Sequence, residues 1–174
     1  MKFKRTQIAA LVVSAAAIVS IAVHEDYVGE AMIPVPGDVP TLGFGETKGV
    51  KMGDKTTPVR ALVQLLESTE MHADGVRKCM DGAELYPYEF NAYVSLAYNI
   101  GVPRFCNSSI PKKVKAQQYD AACETIRDFV CGPATFSTRA LPGQKCFHPL
   151  RPLKVLKGLQ KRREQEFAMC KGPA

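Results

Sequence analysis

A short apolar segment near the N-terminus constrains this chain more than any other feature of its sequence. The run 8–23 carries no charge and consists mainly of Ala, Val, Ile and Ser. It is bounded by two polar groups: Lys2, Lys4 and Arg5 before it, and His24, Glu25 and Asp26 after it. Basic residues followed by a short apolar run are typical of an export signal. The sequence therefore predicts two parts, a targeting segment over residues 1–23 and one folded domain over residues 24–174.

The apolar run has three possible fates. Ser20-Ile21-Ala22 is a tolerable small-x-small site, which favours a cleaved signal peptide. The run is shorter than the roughly twenty residues that span hydrocarbon comfortably, and Ala and Ser dilute it further. Such a segment inserts weakly, so we expect an anchor that can leave the bilayer. A cleaved signal and a permanent anchor remain as alternatives.

Cysteine usage agrees with an oxidising compartment. All six cysteines follow the apolar run: Cys79, Cys106, Cys123, Cys131, Cys146 and Cys170. An even number in an exported chain indicates three disulfides, although six cysteines allow about fifteen pairings. We predict Cys131 with Cys146, which would close the Pro/Gly-rich loop between them, and Cys123 with Cys170. A zinc site at Cys146 and His148 lacks the usual ligand spacing, so no metal or cofactor is expected.

The charge of the chain is only mildly basic outside the targeting segment. Three of the six net positive charges precede the apolar run, which leaves +3 for the remainder. This is too little to indicate a nucleic-acid partner, and we expect a monomer. Two basic clusters stand out: Lys112, Lys113 and Lys115, and Lys157, Lys161, Arg162 and Arg163. They are interpreted as solvated faces or, alternatively, as a surface that attracts an anionic polymer such as a cell-wall glycan.

Periodicity predicts a small strand region followed by a helical lobe. Prolines and glycines break residues 25–51, where 41–45 has the alternation of a half-buried strand. Thr57 and Pro58 then begin an amphipathic helix on which Val59, Leu62, Leu66, Thr69, Ala73 and Val76 recur at helical spacing. Further helices are predicted from Pro87 to about Gly101, from Pro111 to Phe129 with a break near Gln117, and from Leu153 to Cys170. This is an α+β fold with a cleft expected between the two parts.

Acidic side chains gather around the strand region and suggest chemistry on sugars. They are Glu25, Asp26, Glu30, Asp38 and Glu46. Glycoside hydrolysis needs one protonated carboxyl group for the leaving oxygen and a second, ionised one for water or the developing cation. Loop carboxylates more often face solvent or cap turns, so composition by itself does not establish an active site.

Four blocks of sequence, in order, resemble one family. The segment 41–47, Thr-Leu-Gly-Phe-Gly-Glu-Thr, resembles the Thr-Ile-Gly-Tyr-Gly-His-Thr hairpin of phage lysozymes, with Glu25 upstream at about the distance of their catalytic glutamate. The segment 90–101, Phe-Asn-Ala-Tyr-Val-Ser-Leu-Ala-Tyr-Asn-Ile-Gly, resembles their central helix. Two later blocks, 106–110 with 119–122 and 158–166, match in the same order. The resemblance covers nearly all of residues 25–170 and implies a lysozyme-like fold, with a small β-hairpin region and a larger helical lobe.

The resemblance carries over the site residues unevenly. Glu25 and Thr41 correspond to the family's glutamate and threonine, but Pro34 stands nine positions after Glu25, where the family has an aspartate or cysteine. Asp38 is the nearest ionisable substitute, displaced along a loop that is one residue longer. If Asp38 caps the turn instead, Glu30 or Asp26 becomes the second acid. Glu46 replaces the family's usual histidine and could act as an electrostatic partner.

The implied activity is hydrolysis of the β-1,4 bond between N-acetylmuramic acid and N-acetylglucosamine in peptidoglycan. Glu25 would protonate the glycosidic oxygen, Asp38 would act on water or on the positive charge, and Thr41 would hold that water. The resemblance favours inversion, with carboxyl groups roughly 6.5–9.5 Å apart. A lytic transglycosylase, which needs no second acid, is the enzymatic alternative. A cell-wall-binding protein without activity is the other.

Within this family, the weak anchor resembles that of the signal-arrest-release type. The protein would be exported to the periplasm and first held at the inner membrane by residues 8–23. Because Glu25 follows the run directly, an inserted segment would keep it away from its partners. We expect that release lets residues 8–23 pack on the domain and bring Glu25 into the cleft.

Overall fold

The computed structural model describes residues 4–34, 37–133 and 153–173. Seven α-helices lie in these ranges: α1 (Ala15–Glu25), α2 (Pro58–Cys79), α3 (Pro87–Ile100), α4 (Val102–Cys106), α5 (Ser109–Lys115), α6 (Tyr119–Thr125) and α7 (Lys157–Lys171). Six short strands accompany them: β1 (Thr6–Gln7), β2 (Val28–Met32), β3 (Thr41–Gly43), β4 (Glu84–Leu85), β5 (Cys131–Pro133) and β6 (Leu153–Val155). The strands form antiparallel pairs β1–β4, β2–β3 and β5–β6. The predicted α+β architecture with a helical majority is confirmed.

Local sequence fixes where the longer helices begin and end. At α2, the Thr57 side chain accepts a hydrogen bond from the Arg60 backbone N–H at 3.3 Å, and Pro58 occupies the first turn. At α3, Pro87 again lies in the first turn, and Gly101 ends the helix with φ of +84°. Proline lacks the N–H that a first turn leaves unpaired, and glycine tolerates the left-handed region. Both helices therefore lie where the sequence predicts them.

The predicted third helix is interrupted where the sequence suggested. It divides into α5 and α6, and Gln117 between them has a positive φ of 58°. The predicted fourth helix begins later than expected, because 153–155 pairs with 131–133 as a strand before α7 starts at Lys157. The sequence assigned 131–152 to a loop, and its part over 134–152 lies outside the described residues.

The core of the helical lobe surrounds α3. Its apolar side chains Phe90, Tyr93, Val94 and Ala97 are fully buried. The helix packs against α2 on one side and α7 on another. Burying a large apolar side chain contributes on the order of 1.5–3 kcal/mol, so this one helix supplies a large part of the folding free energy.

The predicted buried face of α2 is correct only in its second half. Thr69, Ala73 and Val76 are buried, but Val59, Leu62 and Leu66 are 72%, 45% and 50% exposed. In the first half the helix instead buries Ala61 and Leu65, each one position before an exposed leucine. Periodicity predicted the helix but not which of its sides is buried. This half of α2 lies against the β2–β3 hairpin and not against the main core.

The N-terminal apolar run is packed into the domain. Directly before the run, β1 pairs with β4, and within it Ile8, Leu11, Ala17 and Ile21 are buried. Ser14 is the N-cap of α1; its backbone N–H donates to Asn91 Oδ1 at 3.1 Å while Asn91 Nδ2 donates to Ser14 Oγ at 3.0 Å. None of the helices in the described ranges has the length and apolar character needed to cross a membrane. In this state the run packs on the domain through its buried side chains.

One of the two predicted disulfides can be compared with the structure. Cys123 and Cys170 form a disulfide that joins α6 to α7, as predicted, with a Cα–Cα distance of 5.7 Å. Cys79 and Cys106 form another, joining the end of α2 to α4 with a Cα–Cα distance of 5.4 Å. The predicted partner of Cys131, Cys146, lies outside the described residues.

Candidate active site

Glu25 lies at the junction of the strand region and the helical lobe. It is the last residue of α1, and its side chain is 20% exposed. On one side it faces the hairpin, where a Cβ added to Gly45 would lie 3.2 Å from Glu25 Oε2. Gly45 also has φ of +85°, so both the turn and the close approach to the carboxylate require glycine. The glycine-bearing hairpin of the sequence analysis therefore forms one wall around this acid.

On its other side Glu25 contacts the C-terminal helix. Arg162 Nη1 donates to Glu25 Oε1 at 2.6 Å, and the Arg162 side chain is only 6% exposed. A charge-assisted hydrogen bond of this kind fixes the carboxylate more firmly than a neutral one. The acid is thus held by a residue 137 positions away, which is a tertiary contact that spacing in the sequence could not reveal.

The burial of Arg162 and Arg163 corrects the interpretation of the second basic cluster. Arg162 is 5% exposed and Arg163 is fully buried, so neither belongs to a solvated face or to a surface for an anionic polymer. Both pair inside the protein with Glu166, at i+4 and i+3 on the same helix. This spacing was a usable signal, because it can bring a carboxylate into contact with both arginines.

A cavity of about 520 Å³ adjoins Glu25. It lies between the end of α1, the end of α3 and the first half of α7. His24, Asn99, Lys161, Arg162 and Gln165 supply its polar lining. Burial lowers the pKa of His24, and the nearby charges of Arg162, Arg163 and Lys161 lower it further. A separate cavity of about 280 Å³ on the far side of the hairpin does not include Glu25. Glu25 therefore lines the larger cavity together with residues of α1, α3 and α7.

Tyr98 connects the hairpin to α3 beside the acid. Its hydroxyl donates to the backbone oxygen of Phe44 at 3.1 Å. Burial raises the pKa of Tyr98 to about 12, and the charge of Glu25 contributes to this rise, so the hydroxyl stays a donor. The sequence neighbours of Tyr98 gave no indication that its hydroxyl would bind the hairpin.

The other predicted site residues lie on the loop and edge of the hairpin. Asp38 is exposed, and its Oδ1 accepts from the backbone N–H of Val39 at 2.9 Å. Thr41 begins β3, half-buried, and its hydroxyl donates to the Val39 carbonyl at 3.3 Å. Both side chains therefore bond to their own turn, in contrast to the tertiary partner of Glu25.

The two alternative second acids are also solvent-facing. Glu30, on β2, forms an ion pair with Lys55 at 3.3 Å, and both side chains are more than half exposed. Asp26 follows α1 with φ of +55° and is exposed. Glu46 is engaged locally, since its Oε1 accepts from the backbone N–H groups of Thr47 and Lys48 at 3.0 and 2.7 Å. No cluster of potential metal ligands occurs among the described residues.

Comparison with known proteins places this geometry in a family. The family model described as phage lysozyme matches residues 25–166. A protein named SAR-endolysin from Haemophilus phage HP1 (strain HP1c1) is 26% identical over 148 residues, covering 79% of this chain and 69% of that protein. The match to the family model begins at Glu25 and ends at Glu166, the two carboxylates that contact Arg162.

Solved structures show the same fold. The muramidase domain of SpmX from Asticaccaulis excentricus has a TM-score of 0.77 at 21% identity, covering 94% of this chain and 99% of that one. The active form of the P1 phage endolysin Lyz gives 0.69 at 21% identity, covering 93% and 86%. The secreted inactive form of the same endolysin gives 0.53 at 18% identity, covering 91% and 95%. The TM-score is higher with the active form of that endolysin than with its secreted inactive form.

Proposed function

This chain belongs to the phage lysozyme family, which makes it a peptidoglycan-degrading enzyme, and we propose that it is an endolysin that hydrolyses the β-1,4 bond between N-acetylmuramic acid and N-acetylglucosamine for host cell lysis. The position of Glu25 carries the proposal. This carboxyl group is mostly shielded, borders a cavity and touches a glycine turn on one side and Arg162 on the other. A carboxyl group in such a place can donate a proton to a glycosidic oxygen with little competition from water.

In the proposed mechanism, Glu25 protonates the leaving oxygen while Asp38 orients or deprotonates water, or stabilises positive charge at the anomeric carbon. Thr41 hydrogen-bonds that water. Inversion requires the two carboxyl groups to stand roughly 6.5–9.5 Å apart, with the water between them. Glycan strands are the substrate, and we propose that a single copy of the chain acts on them without a cofactor.

Asp38 is the preferred second acid because of how the alternatives are engaged. Glu30 is paired with Lys55, and Asp26 directly follows Glu25 at the end of α1. Asp38 is held by a single hydrogen bond to its own turn. An exposed carboxylate on the β2–β3 loop can turn toward a bound sugar at low cost, since it has no tertiary bond to break.

The test combines one substitution with an analysis of products. In a turbidity assay on purified peptidoglycan, Glu25→Gln is expected to lower the rate by about a hundredfold or more, the usual contribution of a general acid. Glu67→Gln, an exposed acid on α2, is the matched control and should retain activity. Reducing muramic acid ends confirm hydrolysis, whereas anhydro-muramic ends identify the lytic transglycosylase alternative. A Glu25→Gln protein that still clears cell walls contradicts both enzymatic assignments and favours the cell-wall-binding alternative.

We also propose that residues 8–23 first tether the exported protein to the inner membrane and later dock as described. Val12, Val19 and Val23 support this, because they are 73%, 61% and 71% exposed on the outer side of the segment. A segment that only packed against the domain would not need apolar residues there, whereas one that spends time in lipid would. As one continuous helix, sixteen residues would extend about 24 Å, less than the hydrocarbon thickness of about 30 Å, so insertion would be reversible.

Docking would offset part of the cost of leaving the bilayer. It keeps the side chains of Ile8, Leu11 and Ile21 out of water, which is worth on the order of 1.5–3 kcal/mol for each of them. Arg5 adds an ion pair with Glu89 at 2.8 Å and lies over the rings of Tyr86 and Tyr119. These contacts are available only when the segment has left the bilayer.

The release proposal is tested by collapsing the membrane potential and fractionating the cells. Full-length protein is expected to move from the membrane to the soluble fraction as lysis begins. Protein that stays entirely with the membrane, or whose residues 1–23 are already missing, rules the proposal out. Mass spectrometry of the soluble protein distinguishes these two outcomes.

A further inference from the structure

Behind Glu25 lies a buried polar network that joins three helices. Glu166 Oε1 accepts from Arg162 Nε at 3.1 Å, from Arg163 Nη2 at 3.2 Å and from Ser95 Oγ at 2.8 Å. Glu166 Oε2 pairs with Arg163 Nε at 2.9 Å. Arg162 then reaches Glu25 through Nη1. The network thus runs from Ser95 on α3, through Glu166 and Arg162 on α7, to the proposed acid on α1.

Burial makes the charges of this network interdependent. Ser95 and Arg163 are fully buried, Glu166 is 1% exposed and Arg162 is 5% exposed. Two arginines and Glu166 alone would leave one uncompensated positive charge in the interior, which is costly. Glu25 supplies the balancing negative charge when it is ionised. The protonation of Glu25 is therefore coupled to the charge of Glu166 through Arg162.

We infer that Glu166, which accepts a hydrogen bond from Ser95, is a positioning residue for the Arg162 guanidinium. It also determines how strongly this guanidinium favours a negative charge on Glu25. This inference rests on the proposed function, in which Glu25 is the general acid. An ionised Glu166 satisfies much of the charge of Arg162, so that Glu25 can hold a proton while it stays in place. Without Glu166, Glu25 would be the one carboxylate of this network left to balance the positive charges of the two arginines.

Further charged or titratable groups lie near the network on five elements. Burial raises the pKa of Glu166, and the two arginines oppose that rise. Burial lowers the pKa of Arg163 to about 10. The further groups are His24 on α1, which interacts with both arginines and with Lys161 on α7; Tyr98 on α3, which interacts with Glu25, Arg162 and Glu46 in the hairpin; and Arg104 on α4, which interacts with Arg163. Among these, Arg104 and Lys161 add positive charge at ordinary pH and Glu46 adds negative charge.

The test is the pH dependence of peptidoglycan hydrolysis by the Glu166→Gln protein. Gln keeps the size of the side chain and one oxygen acceptor but removes the charge. The arginines then stabilise ionised Glu25, so the alkaline limb of the pH–rate profile should move to lower pH by about half a unit or more. Glu164→Gln is the matched control, since it removes the same charge from the exposed side of α7, where Glu164 pairs with Arg127. Its profile should match that of the unmodified protein.

If the Glu166→Gln protein does not fold, the Ser95→Ala variant tests the inference. Ser95→Ala removes one donor to the Glu166 carboxylate and makes its ionised form less favourable, so the alkaline limb should move to lower pH, by less than in a folded Glu166→Gln protein. A shift in this direction, with the Glu164→Gln profile unmoved, supports the inference, and a purely structural role would not produce it. Unmoved profiles in folded variants overturn it. If Glu25→Gln retains activity, the proposed function itself has failed, whatever these profiles show.

Discussion

The end of α1 and the β2–β3 loop each present an acidic side chain, but they hold it in different ways. Glu25 is bound by Arg162 from α7 and packed against the Gly45 turn. Asp38 bonds to the backbone N–H of the next residue and is exposed. A tertiary contact fixes a side chain relative to the rest of the site, whereas a local one fixes it only relative to its own loop.

This difference fits the two proposed tasks. A general acid must meet one particular oxygen of the substrate, and a small displacement costs a large factor in rate. A group that acts through water has more freedom, since the water can adjust between carboxylate and sugar. Buried charged residues therefore lie next to Glu25, whereas Asp38 bonds within its own loop.

The largest effect is expected when the tertiary support of Glu25 is removed. Arg162→Met leaves Glu166 with one arginine fewer and Glu25 without its partner. Breaking a buried pair in this way costs about 3–5 kcal/mol of stability. Thermal unfolding and the turbidity assay should both show a severe loss. Arg127→Met is the control, because Arg127 also pairs with α7 but is 39% exposed, and this substitution should change stability little.

A smaller effect is expected from releasing the start of the N-terminal segment. Arg5→Met removes the partner of Glu89, whose side chain is only 4% exposed and also caps α3 through the Tyr86 N–H. We expect a loss of about 2 kcal/mol in the free energy of unfolding, measured with denaturant. Lys4→Met removes a neighbouring exposed charge and should change little. Equal effects of the two substitutions would show that Arg5 does not anchor the segment.

The proposed role of Asp38, on the β2–β3 loop, is tested by Asp38→Asn. We expect about a tenfold loss of hydrolytic rate, equivalent to about 1.4 kcal/mol, with stability nearly unchanged. Glu30→Gln and Asp26→Asn are made in parallel. A larger loss of activity in either of these, with Asp38→Asn fully active, would move the role of second acid to that residue.

The smallest effect is expected at Glu46, whose carboxylate is also bound locally. Glu46→Ala removes the acceptor for the Thr47 and Lys48 N–H groups and should cost about 1 kcal/mol of stability. Glu46→Gln keeps one oxygen acceptor and should cost less. Hydrolytic activity is expected to stay within about twofold in both variants. A large loss in the Gln variant alone would instead assign the charge of Glu46 a part in catalysis.

Helix boundaries and one disulfide could be predicted because their causes are local or few. Thr57 with Pro58 begins α2, and the break at Gln117 appears where the predicted third helix weakens. The pairing of Cys123 with Cys170 was predicted with about fifteen connectivities open, and it is confirmed. The outward position of Leu62 could not be predicted, because helical spacing gives the period of a face and not the object it packs against.

The arginines of α7 show the same limit at the candidate site. In the sequence, Arg162 and Arg163 belong to a basic cluster, and such clusters usually face water. Their burial depends on Glu166, Ser95 and Glu25, of which only Glu166 is near in sequence. The network is therefore visible only after α1, α3 and α7 have been brought together.

By itself, the sequence determined the family pattern, the apolar N-terminal run, the glycine hairpin and the identity of the acid that follows the run. These depend on residue type and short spacing, which bonds between near neighbours enforce. The tertiary structure alone decided that the run docks beside α3 and that Arg162 holds Glu25. Burial of charge and packing of apolar faces depend on which distant segments meet, and no local pattern specifies that.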